Sequence, residues 1–297
     1  MRTTTEGGRM ARQLPPYRFA GGTAVLTGAA SGMGEQMAYG LARRGSRLVL
    51  IDRDADRLAE VAGRIRGVEV DAVVADLSDV SGLDDLVADV LTRNPRPTLL
   101  VNNAGVALGG TFDQVSAEEF DWVMDVNFRA PVALTRLFLP RLLDSPGSHV
   151  VNVSSLFGLI APPGQTAYSA SKFALRGFTE ALRHELADRG VGVTSVHPGG
   201  IRTRIAETAR VAGAADAAEV AAGRARFAKL LTYPADKAAE QILTGVRKRR
   251  GRVLIAWTAV VPDVLARLFP ASHMTVAARI GSTSRHRARR STTSTGS

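Results

Sequence analysis

The chain holds 297 residues, 45% hydrophobic and 22% charged, with 29 glycines and no cysteine. That is enough for one large α/β domain or two small ones, and it excludes disulfides, thiol nucleophiles and cysteine-held zinc. The formal charge of +10 points first to nucleic acid, but residues 245–297 alone carry it, with eleven basic residues against the single acid Asp263.

The remaining 244 residues balance at 27 cations and 27 anions, so the body of the protein is neutral. A basic end of this kind either meets an anionic partner, nucleic acid or lipid, or does nothing specific. The second reading is the plainer one, because four lysines against 34 arginines look like a base-composition bias.

In chain order, residues 1–20 are polar, dotted with arginine and proline, and read as a flexible leader in which Met10 is a second candidate start. They lack the apolar stretch of a secretory signal, and no apolar run reaches the ~18 residues of a membrane span, so a cytoplasmic protein is expected. From Gly22 onward short β-rich runs alternate with helical ones. Strands are expected at 23–27, 47–51, 70–75, 98–102, 149–153, 191–196 and 252–256. Helical spacing links Leu58, Val61, Ala62 and Ile65, and again Leu83, Leu86, Val87 and Val90. Strands such as Leu48-Val49-Leu50-Ile51 are apolar throughout, which suits a parallel sheet covered on both faces. Repeated βα units predict one doubly wound domain over 21–257, a sheet of about seven strands with helices on both faces and ligand sites at the C-terminal strand ends.

Two segments depart from that rhythm. Residues 199–233 form an Ala- and Arg-rich insertion of a length expected for a lid. After Trp257, residues 258–280 are an apolar extension with Val260, Val261, Val264, Leu265, Leu268 and Phe269. They read as an amphipathic helix broken by Pro262 and Pro270, packed on the core or a second subunit, or resting on a membrane surface. Residues 281–297 are read as a disordered basic tail.

Strand one runs into Thr27, Gly28, Ala29, Ala30, Ser31, Gly32, Met33 and Gly34, with a helical stretch behind. A pyrophosphate needs backbone N–H donors, a helix N-terminus and no side chains in its way, and glycines at 28, 32 and 34 meet that need. Asp52 ends strand two, 24 positions after Gly28, where an acid is expected to hold the adenosine ribose. A carboxylate there repels a 2′-phosphate, whereas Arg53 would hold one. NAD is therefore expected over NADP, with NADP left open. Asp52 also has a plain reading as a turn residue.

Further on, Tyr168 and Lys172 stand four apart and share a helix face. A phenol of pKa about 10 is a poor base at neutral pH, and a neighbouring ammonium lowers that value. Tuning of this kind assists proton transfer.

Over residues 20–256 the chain resembles the short-chain dehydrogenase/reductase family. The glycine loop matches its TGxxxGxG, Tyr168–Lys172 its YxxxK and Asn102-Asn103-Ala104-Gly105 its NNAG. The resemblance implies a Rossmann-type fold, an NAD(P) cofactor, hydride transfer at CH–OH carbons, and a dimer or tetramer formed through the Tyr168 helix. It implies a catalytic set of Ser155, 13 positions before Tyr168, with Tyr168, Lys172 and Asn127. Tyr168 would take the hydroxyl proton, Ser155 would bind the substrate oxygen, Lys172 would lower the tyrosine pKa and grip the nicotinamide ribose, and Asn127 would hold a relay water. Cofactor contacts are implied at Thr27, Gly28, Ser31, Gly32, Met33, Gly34, Asp52, Arg53, Asn103, Ala104 and Gly105, and at Tyr168 and Lys172. Asp76 and Leu77 would lie near the adenine, and Pro198, Gly199, Ile201 and Thr203 near the carboxamide.

Other signals are set aside. His184-Glu185 starts like a zinc-protease helix, but position 188 is Asp188, so no metal site is expected. His197 reads as a packing residue. Asn152-Val153-Ser154 has glycosylation spacing without a secretory signal. The leading expectation is an oxidoreductase for a lipophilic secondary alcohol or ketone, from the apolar stretches 212–220 and 227–231 and the apolar C-terminal segment. Two alternatives stand beside it: a non-catalytic nicotinamide-binding regulator working through the basic tail, and an isomerase or epimerase with a tightly held cofactor.

Overall fold

Short runs of leucine and β-branched residues build the sheet, and their order creates the site. The computed structural model describes residues 14–203, 209–214, 231–272 and Thr275. Its strands are β1 (Thr23–Thr27), β2 (Arg47–Asp52), β3 (Val70–Val74), β4 (Pro97–Asn102), β5 (Leu108–Gly109), β6 (His149–Val153), β7 (Gly192–Pro198), β8 (Arg210–Val211) and β9 (Arg252–Ile255). Seven form one parallel sheet in the order β3-β2-β1-β4-β6-β7-β9, and β5 pairs only with β8. The helices are α1 (Gly32–Arg43), α2 (Ala55–Arg64), α3 (Leu83–Arg93), α4 (Ala117–Met124), α5 (Ala130–Leu143), α6 (Thr166–Glu185), α7 (Ala235–Arg247) and α8 (Trp257–Leu268). This is the Rossmann-type, doubly wound architecture that the sequence predicts.

Alternation along each strand explains the unbroken apolar runs. Ala24 and Leu26 of β1 join Met37, Leu41, Ile242 and Leu243 in one layer, whereas Val25 joins Val87, Leu134, Phe138 and Leu182 in the other. From β1 the chain winds outward to β3, then returns to β4 on the opposite side of β1. The loops after β1 and β4 therefore diverge, leaving a crevice at the C-terminal edge.

Four expectations are corrected. Residues 14–20 are not loose leader: Tyr17 and Phe19 are buried in the core. Tyr17 donates its backbone N–H to Arg247, its hydroxyl meets Thr98 Oγ1 at 2.9 Å, and the Arg249 guanidinium lies 5.1 Å from its ring centroid. Two aromatics within a polar stretch have no period, so their burial was not legible. Pro262 does not break the last helix, since α8 runs through it to Leu268 and the loss is a single backbone hydrogen bond. Strand β7 extends to Pro198 because Pro198 pairs with Ile255, and β9 stops at Ile255 because Ala256 turns to φ +67°. Of the insertion, 204–208 and 215–230 lie outside the described residues, as do residues 1–13, residues 273, 274 and 276–280, and the whole of the tail 281–297. The stems of the insertion are tied down: β8 pairs with β5, and Arg210 stacks 3.9 Å over Trp122.

Buried His149 sets an acid limit. Its Nδ1 accepts from Arg249 Nη1 at 2.9 Å, and its Nε2 meets Thr194 Oγ1, whose hydroxyl is donated to the Arg250 carbonyl. Burial first, then the Arg249 charge, lowers its pKa from 6.5 to about 3. The folded state binds fewer protons than the unfolded chain between those values, so this stability is present above pH 6.5 and lost as pH falls toward 3. Denaturant unfolding at pH 7 and pH 5 should show about 2 kcal/mol lost through this group. The His149→Asn variant should lose correspondingly less; equal losses in both proteins would rule the account out.

Candidate active site

The crevice is walled by the loops after β1 and β4, and Thr27 ties them together. Its hydroxyl accepts the backbone N–H groups of Asn103 and Ala104, each at 3.0 Å, while Asn103 Nδ2 donates to the carbonyls of Thr27 and Gly28. Gly28 has φ +66°, and a Cβ there would stand 2.8 Å from the Ala104 Cα. A Cβ at Gly34 would collide with the Gly28 carbonyl, so only glycine permits the loop to fold this tightly. Ser31 precedes α1 without making a side-chain cap, which leaves the first N–H groups of the helix for an outside anion. Thr203 closes against Gly32 from the other side.

At the end of β2, Asp52 accepts from the Ala30 amide at 2.9 Å and from the Asp54 amide at 3.1 Å. Arg53 beside it is exposed. Glycine backbone, free helix N–H groups and a carboxylate at the neighbouring strand end suit the pyrophosphate and ribose of a dinucleotide. Asp76 is farther out and accepts from Ser78, while Leu77 is buried. Pro198 ends β7, Gly199 donates to the Ile255 carbonyl and Ile201 pairs with Tyr233.

Deeper in, the end of β6 is pinned against α6. Lys172, only 3% exposed, donates from Nζ to the Val153 carbonyl at 3.2 Å. Ser154 Oγ donates to the Lys172 carbonyl at 2.9 Å. One turn before Lys172 on the same helix, Tyr168 is also buried, its ring centroid 5.7 Å from Nζ and edge-on to Phe157 at 5.9 Å. The Ser155 hydroxyl accepts the Phe157 amide at 3.1 Å and lies near enough to the Tyr168 phenol to act on it electrostatically. Burial raises the Tyr168 phenol above its ordinary pKa, and the Ser155 hydroxyl opposes that rise. Burial lowers Lys172 from 10.5 to about 8, and among the described residues no carboxylate compensates it.

Asn127 sits in a wide π-turn, Asp125–Arg129, that joins α4 to α5. Its Oδ1 accepts from the Val106 N–H and its Nδ2 donates to the Val106 carbonyl, both at 2.9 Å, and also to Ser171 Oγ at 3.1 Å. A Cβ on Gly105 would stand 3.2 Å from both Asn127 Oδ1 and Lys172 Nζ. The fold thus brings Ser155, Tyr168, Lys172 and Asn127 around the mouth that Gly105 faces, with the glycine loop at the next strand end.

Sequence reasoning passed over several supports. Ser154, Ser171 and Phe157 occupy positions to which no motif assigns a supporting role. His197 is buried and held below its ordinary pKa, at about 4, first by burial. The neutral ring directs Nδ1–H to the Ser155 carbonyl at 3.2 Å, leaving Nε2 to accept from Ser195 Oγ at 2.9 Å. It therefore steadies the backbone of Ser155. Strand alternation could have shown that His197 and Ser195 share one face.

The chain matches the short chain dehydrogenase family model over residues 22–212. It is 40% identical over 265 residues to SadH of Mycobacterium tuberculosis, an oxidoreductase by name, covering 88% of this chain and 95% of that protein. A short-chain dehydrogenase/reductase from Burkholderia phymatum, solved with NAD, superposes with a TM-score of 0.79 at 31% identity, over 84% of this chain and 94% of that one. A Sphingobium yanoikuyae short-chain dehydrogenase solved with NADPH gives 0.69 at 30% identity, over 89% and 95%.

The buried ammonium should cost stability. Because the folded pKa of Lys172 is the lower one, the full cost is present below pH 8 and fades as pH rises toward 10.5, with an upper bound of about 3 kcal/mol. The lost bond to Val153 offsets about 1 kcal/mol of the gain on replacement. Lys172→Met is therefore expected to be more stable than wild type at pH 7 by about 1–2 kcal/mol, with the gap closing at pH 10. A variant less stable at pH 7 in urea titrations would contradict this.

Proposed function

The chain belongs to the short-chain dehydrogenase/reductase family of NAD(P)-dependent oxidoreductases, and from that premise we propose that it interconverts a lipophilic secondary alcohol and its ketone with NAD as the preferred cofactor. The observation that carries the reading is the buried Tyr168–Lys172 pair beside Ser155, one loop away from a glycine cradle.

Thr27, Gly28, Ser31, Gly32, Met33 and Gly34 would hold the pyrophosphate, with Asp52 on the adenosine ribose. Asn103, Ala104 and Gly105 would form the floor, Asp76 and Leu77 the adenine side, and Pro198, Gly199, Ile201 and Thr203 the carboxamide side. Bound there, a nicotinamide supplies the hydride acceptor for the carbinol carbon, or in reduced form the hydride donor for the ketone. Ser155 donates its hydroxyl to the substrate oxygen and steadies the charge that develops on it. Tyr168 takes the hydroxyl proton in oxidation and returns it in reduction. The ammonium of Lys172, one turn away, offsets the cost of holding Tyr168 as a phenolate in a dry site. Asn127, its amide engaged by Val106 and Ser171, holds the loop after Gly105, and a water that passes the proton outward would lie beside it.

Because burial favours the neutral phenol, Tyr168 rests as an acid at neutral pH. Ketone reduction should accordingly be flat with pH around neutrality and fall only in alkali, whereas alcohol oxidation should quicken as pH rises. A lipophilic substrate is supported by the apolar runs at 212–220 and 227–231 and by the start of α8 beside Leu156–Gly158.

The first test follows absorbance at 340 nm with lipophilic secondary alcohols and ketones. Wild type should turn over with NAD, and Tyr168→Phe should lose about 10²–10⁴-fold in kcat/KM. Turnover that survives in the variant would exclude Tyr168 as the proton carrier, and turnover of small polar sugars alone would exclude a lipophilic substrate.

Cofactor choice has its own test. Replacing Asp52 by alanine removes the charge that repels a 2′-phosphate, so the NAD-to-NADP ratio of kcat/KM should fall about tenfold or more, equivalent to about 1.4 kcal/mol. An unchanged ratio would show that Asp52 does not set the preference.

A further inference from the structure

We propose that α8 is an interfacial helix that seats this protein on anionic lipid bilayers. Trp257 is 72% exposed, and Val260, Val261, Val264 and Leu268 are exposed with it, followed by exposed Phe269. Counted from Trp257, these helical positions fall at steps of three, four, seven and eleven, which places them on one stripe roughly 100° wide. The opposite face is anchored. Ala259 and Asp263 are buried, and Asp263 is bound by Arg252 at 2.6 Å and Arg267 at 3.2 Å. Thr258 Oγ1 accepts from the Gly200 amide at 3.0 Å and fixes the start of the helix. The only acid of α8 thus points inward while the apolar stripe points out.

Charge selects the occupant. After Asp263 the sequence contains Arg267, Arg279, Arg285, Arg287, Arg289 and Arg290 and no acid. A two-fold contact between copies of this face would bring two such cationic segments together, because the same patch meets itself. Nucleic acid would satisfy the arginines and leave the valines in water. An anionic bilayer answers both, with hydrocarbon for the stripe and headgroup charge for the arginines. Twelve residues span about 18 Å, too short for the ~30 Å hydrocarbon core, so the helix lies in the plane of the surface. Among the described residues no helix is long and apolar enough to cross a membrane. The start of α8 packs beside Leu156–Gly158 and Gly199, so docking would set the candidate site close to the bilayer. The inference concerns this surface and stands apart from the proposed turnover.

The test uses the full chain and sedimentation with vesicles of pure phosphatidylcholine or of phosphatidylcholine with about one-third phosphatidylglycerol. Binding should be about tenfold stronger to the anionic vesicles, should weaken with salt and should drop at least about tenfold in Val261→Glu/Val264→Glu. Circular dichroism and the melting curve check that this variant is folded. In a Trp122→Phe background, Trp257 is the remaining tryptophan, and its emission should shift to the blue on anionic vesicles. No sedimentation with anionic vesicles would overturn the proposal. So would binding that the double variant retains, which would assign it to the tail alone. A wild-type dimer made monomeric by the double variant, seen by light scattering, would assign the stripe to a subunit contact instead.

Discussion

A buried ammonium, with no counter-ion among the described residues, governs the organisation of this protein. Lys172 is enclosed with one carbonyl partner, Val153, and an unpaired buried charge is among the costlier features a fold can hold. It persists because α6 is fixed from several directions at once. Ser154 binds the Lys172 carbonyl, Ser171 bridges the Tyr168 carbonyl to Asn127, and Phe157 stands against the Tyr168 ring. With so many constraints the side chain cannot swing out to water without dismantling its surroundings. Even so, Ser169 Oγ is buried with no partner, a further sign that this face of α6 is not arranged for stability alone.

The sheet holds the two halves of the site at one level. Asn102 and Asn152 stand opposite each other where β4 meets β6, and Asn102 Nδ2 donates to Asn152 Oδ1 at 2.8 Å. Asn152 in turn donates to Thr179 on α6 at 2.9 Å, and Asn102 to Thr135 on α5 at 3.1 Å. A one-residue slip of β6 would bury these amides unpaired, so the polar seam sets the register. It lies just before both functional loops: Asn103 follows one end and Ser154 the other. Hydrogen bonds that look merely structural therefore decide where Ser155 stands relative to Gly105.

The charge distribution is separated as sharply as the chemistry. The neutral body carries the candidate site, while the cationic surplus lies beyond residue 244. Within that region Arg249 is structural: it donates to Pro15, Gly147 and Ser148 and covers the Tyr17 ring, so the start of the described chain is latched to the far edge of the sheet. Arg252 and Arg267 enclose Asp263. After Asp263 the sequence contains no further acid.

Much of the fold was legible because strands buried on both faces leave unbroken apolar runs, and all seven central strands read true to within two residues at either end. The glycine loop, Asp52, Tyr168 and Lys172 stood out because the chemistry proposed for them asks for fixed spacing along one element, and the fold places them around one crevice. What spacing cannot express is contact between elements. Strands β5 and β8 are too short to show a period, and Tyr17 is held by partners more than two hundred residues away, Arg247 and Arg249. The support of Ser155 by His197 and the joining of Asn127 to Ser171 appear only when β6, β7 and α6 are packed together. Local periodicity and motif chemistry determined which residues were available. Tertiary packing decided which of them are dry, because desolvation depends on neighbours the chain reaches only by folding. That drying, more than the motif itself, moves Lys172 and Tyr168 from their ordinary proton affinities.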